Sequence, residues 1–466
     1  MTPPPLPSSV SFAQRNAAAL KLLLVGLLVV VLLVPLGMVR KTLFERLGRH
    51  DGAVAEITQT WGQAQRLLGP ILVVPYSFKT ETEDWTVAAD GRRFRERTVR
   101  TVNAEAFFLP ERLEVTGDLE PSLRARGIYT THVYAAKLKI AGRFAAPDFA
   151  FTGVTAPEIQ WARARVSLAL SDLRGTRETL ALKWGASDVP LQPGARLEGF
   201  GSGLHAPVTI APGGGAVDFA LELTMNGSNS LTVVPLGRQT DVVLASSWRD
   251  PGFRGGFLPV RREIGPEGFR ATWQVSHYGR DFPQEWSTQG SVPPPAASAI
   301  EASAFGVNLV EVMTAYRTVE RAIKYGVLFL ALVFTTFFLF EVVSAVRLNV
   351  LNYLLVGVAL CLFYLGLLSL AEFVGFARAY IIAAGASVLL IGLYGRSVLR
   401  SGGRALVVCG MLGGVYGYLY FVLQMEDLAL VAGTGALFAV LAAVMFFTRR
   451  IDWRGQDTET VAEAAR

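Results

Sequence analysis

The placement of charged residues is the feature that most constrains this chain. Residues 40–324 hold 33 of the 44 lysines and arginines and 30 of the 38 acidic residues, and the two flanking segments are much poorer in charge. Segments with so few charges do not make a water-facing surface. We therefore expect a membrane protein whose water-exposed body, residues 40–324, lies between membrane segments. The nearly balanced charge of the body argues against nucleic-acid binding.

Six apolar stretches are long enough to cross the hydrocarbon core of a bilayer, which takes about 20 residues. One precedes the body, at residues 22–39, and five follow it, at 326–346, 350–370, 379–399, 405–424 and 428–448. The first stretch would also fit a signal peptide, but no cleavage site of small residues follows it. We interpret it as an uncleaved anchor. The prediction is six transmembrane helices (1 + 5), tails at 1–21 and 449–466, and a five-helix bundle at 325–448.

Lysine and arginine in short loops indicate the orientation of a membrane protein. One predicted face of the bundle carries a single arginine, Arg378, and the acidic pair Glu426-Asp427. The other face carries seven arginines: Arg347, Arg396, Arg400, Arg404, Arg449, Arg450 and Arg454. Because the basic face of such proteins is cytoplasmic, the sequence predicts that both termini lie in the cytoplasm and that the body is periplasmic.

The body contains many short runs of β-branched and aromatic residues bounded by glycine, proline, aspartate and asparagine. In one of them, Lys137 and Lys139 alternate with Leu138 and Ile140, as in a half-buried strand. Runs of this kind at intervals of about ten to twenty residues predict antiparallel, sandwich-like β-sheets, in one sandwich or two. We further predict a helix at 53–68 that continues from the anchor, and another from about Tyr316 into the membrane.

No complete catalytic template is found in the sequence. None of the four histidines begins a His-Glu-x-x-His pair, no predicted span contains histidine, and no Gly-x-x-x-x-Gly-Lys loop for a nucleotide is present. We therefore predict that the protein is not an enzyme and uses no metal or other cofactor. A Ser/His/Asp triad inside the body stays open, because its members need not be adjacent in sequence.

Four charges near the ends of predicted spans are the candidate site residues: Glu341, Arg347, Glu372 and Arg378. A carboxylate in hydrocarbon is costly and needs a partner, so these residues would suit a proton or ion relay. They would equally suit anchoring of helix ends, with each carboxylate paired to a nearby arginine. We favour anchoring because the two carboxylates are predicted on opposite rims, and we expect Glu341 to face Arg396 or Arg449.

Glycines at positions 410, 413, 414 and 417 give overlapping Gly-x-x-x-Gly spacings in the fifth predicted span. Small residues at this spacing let helix backbones approach closely. We predict that they serve packing within the bundle, with dimerisation as the alternative.

Several strings along nearly the whole chain resemble the CreD family of bacterial inner-membrane proteins, whose members are described as cell-envelope integrity proteins. They include LGPILVVP at 68–75, RGIY at 126–129, LTVVPLG at 231–237, ERAIKYG at 320–326 and IDW at 451–453. The order and spacing of the strings make the resemblance specific.

The resemblance implies an inner-membrane protein linked to envelope maintenance and to a two-component regulon that responds to cell-wall stress, including β-lactams. It implies no reaction. The expected partners are membrane lipids and periplasmic or cell-wall components, without nucleotide or nucleic acid. A transporter or channel using the intramembrane carboxylates is one alternative, and an extracytoplasmic hydrolase is another. The sequence leaves the oligomeric state and the ligand of the body open.

Overall fold

The computed structural model describes residues 17–87, 93–176, 179–309, 315–344, 349–399, 401–425 and 429–448. Packing divides the chain into two compact units. One, Asp51–Glu311, is rich in β-strands, and the other, Met1–His50 with Val312–Arg466, is helical in its described part. The predicted tails beyond residues 17–448 lie outside the described residues. So do the acidic pair Glu426-Asp427 and five of the orienting arginines: Arg347, Arg400, Arg449, Arg450 and Arg454.

The first helix is longer than the membrane anchor that the sequence predicts. Helix α1 extends over Ala17–Trp61 and contains Pro35 in its interior. Its apolar residues 22–39 supply a membrane-spanning length, and a proline is tolerated in such helices when neighbouring groups satisfy the freed backbone carbonyl. The predicted helix at 53–68 is correct only as far as Trp61.

Beyond Trp61 the chain turns into a strand instead of continuing as a helix. Gly62 has a φ of 153°, and a Cβ at this position would collide with the backbone of Asn226. Strand β1, Gln65–Val87, follows, and its Leu67 pairs with Leu170 on one side and Val233 on the other. An apolar run such as Leu67-Leu68 suits helix or strand alike. Its distant partners in the sheet therefore decide its structure.

The first sheet of the body has ten strands. Its central path is β14-β18-β12-β1-β6-β10-β9, and β2 and β5 also pair with β1 while β17 pairs with β2. Besides β1, the strands are β2 (Arg93–Phe108), β5 (Glu158–Ile159), β6 (Arg165–Leu170), β9 (Gln192–Pro193), β10 (Gly203–Pro207), β12 (Ser230–Val233), β14 (Gly252–Gly255), β17 (Glu285–Ser287) and β18 (Phe305–Asn308).

The second sheet has eight strands in the order β15-β16-β13-β3-β4-β11-β7-β8. They are β3 (Arg112–Arg126), β4 (Tyr129–Phe144), β7 (Ala181–Trp184), β8 (Ser187–Pro190), β11 (Val217–Ser228), β13 (Gln239–Ser246), β15 (Arg261–Gly265) and β16 (Gly268–Ser276). The short helix α2, Ala297–Ala302, also belongs to the body. Strand β3 has no counterpart among the predicted runs, although its residues alternate between exposed and buried over most of its first half.

Both sheets are mixed, so the prediction of antiparallel sheets is wrong in one respect. Strand β1 pairs with β12 in parallel, and β3 pairs with β13 in parallel. Sequence runs mark where strands are but carry no information on the direction of a partner more than a hundred residues away. Parallel pairs require such long connections, since a tight turn can join only antiparallel strands.

Side chains of the two sheets contact one another within one apolar core. The ring of Trp273 on β16, which is fully buried, lies 5.8 Å from Phe253 on β14 and 5.6 Å from Phe305 on β18. The hydroxyl of Tyr134 on β4 donates to the carbonyl of Ser230 on β12 at 2.7 Å. Burial raises the pKa of Tyr134 far above its ordinary value, so this hydroxyl stays protonated and remains a donor.

The helical unit contains six helices after the body within its described part. They are α3 (Ala315–Lys324), α4 (Gly326–Ser344), α5 (Val350–Val374), α6 (Phe376–Leu399), α7 (Gly402–Gln424) and α8 (Ala429–Thr448). Four helices of the described chain, α1, α5, α6 and α7, are long and apolar enough to cross a membrane. A fifth span is counted if α3 and α4, which bend by 50° at the break between them, form one crossing. Six spans therefore remain a prediction.

Helices α1 and α5 pack side by side and run in the same direction. A Cβ added at Gly357 of α5 would overlap Leu32 of α1, and further along both helices Arg46 reaches Glu372. Because later residues of α1 meet later residues of α5, the two helices are parallel. Glycine permits this close approach, since any larger residue at position 357 would push the helices apart.

The glycines at 410, 413, 414 and 417 do not have the predicted packing role in the described chain. A Cβ added at any of them would meet nothing within 4 Å. Gly413 and Gly417 instead line an open apolar groove of about 750 Å³ between α6 and α7. Spacing alone identified small residues on a helix but not the face that the neighbouring helices cover.

Candidate functional site

Glu372 lies near the end of α5, and its carboxylate is hydrogen-bonded by residues of two other helices. Nη1 of Arg46 donates to Oε1 at 3.1 Å and to Oε2 at 2.8 Å. The carboxylate side chain is only 6% exposed, whereas that of Arg46 is 40% exposed. A carboxylate this buried needs a charged partner, because desolvation otherwise penalises its ionised form. Arg46 provides that partner from a helix far away in sequence.

A tyrosine completes the hydrogen bonding of Glu372. The hydroxyl of Tyr316 on α3 donates to Oε1 of Glu372 at 2.9 Å. The ring of Tyr316 also lies 5.5 Å from the imidazole of His50, which follows Arg46 by about one turn of α1. Glu372 thus joins α5 to α1 and α3, the two helices that flank the body in sequence. We call Arg46, His50, Tyr316 and Glu372 the rim cluster.

Sequence reasoning identified Glu372 but missed its partners. It placed Arg46 among the charges that open the body, and it gave Tyr316 no role beyond helix formation. Arg46 lies on the apolar anchor helix within about two turns of Val39, so a cation there already needed a carboxylate partner. Arg378, the neighbour expected to pair with Glu372, is exposed, and no ion pair joins the two within the described residues.

Glu341 lies near the end of α4, next to the start of α5. Its Oε2 accepts a hydrogen bond from the hydroxyl of Tyr353 at 2.9 Å. Tyr353 is thus one partner of Glu341. The expected pairing with Arg396 or Arg449 stays a prediction, and Arg449 and Arg347 lie outside the described residues. At 1.5 Å per residue, the part of α5 between Tyr353 and Glu372 is about 28 Å long, close to the thickness of the hydrocarbon core. The two carboxylates therefore do not share one site.

Between the two carboxylates, two tyrosine hydroxyls of the bundle interior form hydrogen bonds, whereas the buried hydroxyl of Tyr364 has no partner among the described residues. The hydroxyl of Tyr380 donates to the carbonyl of Tyr416 at 2.7 Å, and the hydroxyl of Tyr416 donates to Ser387 Oγ at 2.7 Å. The ring of Phe363 contacts both tyrosine rings, at 5.3 Å and 4.8 Å. No buried carboxylate or histidine lies in this interior among the described residues. The arrangement suits rigid helix packing rather than ion passage.

A metal centre has no donor set in the described part of the chain, where no group of three or more histidine, cysteine, aspartate or glutamate residues comes together. The four histidines are dispersed. His50 belongs to the rim cluster, His132 packs on Trp248, and His277 lies next to Tyr278. His205 is buried, and its Nδ1 lies 2.7 Å from the carbonyl oxygen of Gly194.

Comparison with known proteins gives two matches that extend over nearly the whole chain. The family described as "Inner membrane protein CreD" matches residues 17–454. Among characterised proteins, the inner membrane protein CreD of Escherichia coli (strain K12) is 32% identical over 429 residues, which are 91% of this chain and 91% of that protein. The family match includes the anchor helix, the body and the helices that follow it.

Proposed function

The chain belongs to the CreD family of inner-membrane proteins, and from that premise we propose that it supports the integrity of the cell envelope without catalysing a reaction. It is a multi-pass protein of the inner membrane. In this proposal the β-rich body contacts periplasmic or cell-wall components while the helices anchor it. The protein acts during cell-wall stress, including exposure to β-lactams, and a two-component system controls its production.

The pairing of Glu372 is the observation that favours a structural role for this carboxylate over a role in transport. A relay carboxylate has to exchange protons or ions during its cycle. Glu372 instead accepts three hydrogen bonds, two from Arg46 and one from Tyr316, and they hold three helices together. Breaking these bonds would leave the buried carboxylate of Glu372 without its cation, at a cost of several kcal/mol. Glu372 is therefore a structural link in this account.

The proposed topology has six spans, cytoplasmic termini and a periplasmic body. The parallel packing of α1 and α5 supports it, because both helices then run from the cytoplasmic side outward. The bent pair α3–α4 serves as one crossing and α8 as the last. We also propose that the two sheets form a sandwich, which the contacts of Trp273 with rings on the other sheet support.

The test is complementation of a bacterial strain that lacks the protein and is challenged with a β-lactam. Glu341→Gln and Glu372→Gln are compared with the wild type after their membrane abundance has been measured. A structural role predicts that survival follows abundance in both variants. Normal abundance with lost survival would favour the transporter alternative. Release of wall fragments by the purified protein would favour the hydrolase.

A further inference from the structure

The body contains a polar cleft that no part of the proposed function uses. Its volume is about 740 Å³, within the range of small-molecule sites. The cleft is lined by parts of β1, β2, β6, β9 and β10 and by the short 3₁₀ helix Trp161–Arg163. Strands of one sheet thus provide most of its wall, which makes it a rigid site. We call it the arginine cleft.

The charge of the arginine cleft is positive. Its lining includes three arginines, Arg163, Arg165 and Arg196, against one carboxylate, Glu105. Arg165 and Glu105 neutralise each other through two parallel bonds, Nη1 to Oε1 and Nη2 to Oε2, both at 2.8 Å. Within the described chain no carboxylate pairs with Arg163 or Arg196. Two guanidinium groups are therefore left for an external anion.

The structure fixes the guanidinium of Arg163 and the backbone of Arg196. Nη1 of Arg163 donates to Oε1 of Gln160 at 2.8 Å, which leaves its other donors available. The carbonyl of Arg196 accepts from Nη2 of Arg165 at 3.2 Å. Arg196 has a φ of 51°, a left-handed conformation that is costly for a residue with a side chain. Such strain at a residue of a cleft points to a functional requirement for that residue.

Neutral groups complete the lining. Asn103, Gln160 and Gln192 bring side-chain amides to the cleft, and His205 brings a buried imidazole. The carbonyl of Gly194 only accepts, so the hydrogen between it and His205 belongs to Nδ1. The cleft therefore offers cationic donors together with amide donors and acceptors, as expected for a polar ligand with an anionic group.

We propose that the arginine cleft binds a small polar ligand through a doubly charged oxyanion, which Arg163 and Arg196 recognise. Guanidinium groups match the oxygens of a phosphate or a carboxylate in geometry and charge, so a phosphate group and a dicarboxylate share the required chemistry. The proposal depends on the cleft alone and holds whether or not the helices have the linking role described above.

Titration calorimetry of the full chain in detergent at low ionic strength tests this proposal, because salt screens exposed charges. The probes are inorganic phosphate and succinate, with acetate and glucose as singly charged and neutral comparisons. We expect saturable binding of at least one dianion, at least tenfold tighter than of acetate, and no binding of glucose. The dianion that binds more tightly shows whether the cleft recognises a phosphate group or a dicarboxylate. Absence of saturable binding by both dianions would overturn the proposal.

Variants locate the binding. Arg163→Gln and Arg196→Asn should each weaken binding at least tenfold, since each removes a cationic group that hydrogen-bonds to the anion. Asparagine is used at position 196 because it tolerates the left-handed conformation. Arg270→Gln, at an exposed position of β16, is the matched control and should bind as the wild type does. Wild-type affinity in both cleft variants would refute the assignment.

A further variant distinguishes charge recognition from a general loss of folding. Glu105→Gln removes the carboxylate that occupies Arg165 and so frees a third guanidinium. We expect it to bind the same dianion several-fold more tightly, a gain that damage to the fold does not produce. Weaker binding by Glu105→Gln, in protein whose thermal unfolding matches the wild type, would contradict the proposed charge arrangement.

Discussion

Arg46 and Glu372 are 326 positions apart in sequence and form an ion pair in which one guanidinium nitrogen lies 3.1 Å and 2.8 Å from the two carboxylate oxygens. The pair connects α1, which precedes the body, to α5 in the bundle. With the hydroxyl of Tyr316 it also connects α3, which follows the body. A chain with a large insertion between its first helix and the remaining helices needs such links to close its helical unit.

The two members of this pair should differ in the cost of their removal. Arg46→Met leaves a 6% exposed carboxylate without its cation, at a cost of about 3 kcal/mol. Glu372→Gln keeps an acceptor for Tyr316 and leaves an arginine that reaches water, at a cost of about 1 kcal/mol. Thermal unfolding in detergent should therefore show the larger drop for Arg46→Met. A larger drop for Glu372→Gln would contradict the burial of the pair.

Replacement of two glycines of the helical unit by a larger residue should have different effects on the amount of folded protein. Gly357→Val should lower the amount of folded protein, because even a Cβ there overlaps the end of the Leu32 side chain, which is itself buried. Gly413→Val is the matched control and should leave the amount of folded protein unchanged, since an added Cβ meets nothing within 4 Å. Size-exclusion chromatography of fluorescent fusions measures both. Loss of folded protein in Gly413→Val would contradict the open groove at this face.

The stability of the body should depend on pH through Glu285. Burial, and to a lesser extent the nearby Asp148, raise the pKa of this half-buried carboxyl above its ordinary value. The folded state then binds more protons than the unfolded state between the two pKa values, so stability falls as pH rises through that window and stays lower above it. Glu285→Gln should raise the unfolding temperature at pH 7.5 but not at pH 4. An equal effect at both values would contradict the shift.

The orientation can be tested by labelling of single cysteines in intact cells. In a background with Cys361 and Cys409 replaced by alanine, a cysteine at Gln160 should react with an impermeant reagent. Cysteines at Arg400 and Gln456 should react only after the cells are opened. Labelling of position 400 from outside would reverse the proposed topology.

Hydropathy and alternation predicted most elements of this fold, because the spacing of apolar residues along the sequence reflects which positions of a helix or strand are buried. The predicted bundle stretches correspond to helices α4 to α8, and the alternating run at Lys137 to Ile140 lies in strand β4. Strand β3 escaped because Gly117 and Pro121 resemble turn residues, although Leu113, Val115 and Leu119 alternate with charged neighbours. The parallel pairs depend on partners far away in sequence, and no local pattern encodes them.

The candidate site was predictable only in part, for the same reason. Glu372 stood out because a carboxylate in an apolar stretch is costly, but its nearest arginine in sequence, Arg378, is not its partner. Arg46 and Tyr316 reach it only after α1, α3 and α5 have packed. The arginine cleft has no sequence signature at all, since its charged residues come from separate strands and loops.

A charge exchange between Arg46 and Glu372 tests the linking role most directly. Arg46→Glu and Glu372→Arg should each lower the membrane abundance of the protein and the β-lactam survival of a strain that depends on it, because two like charges then meet at the rim. The double variant restores opposite charges, and the account predicts recovery of both abundance and survival. Recovery of abundance without survival would contradict it, because a carboxylate at position 372 would then do more than hold the helices together.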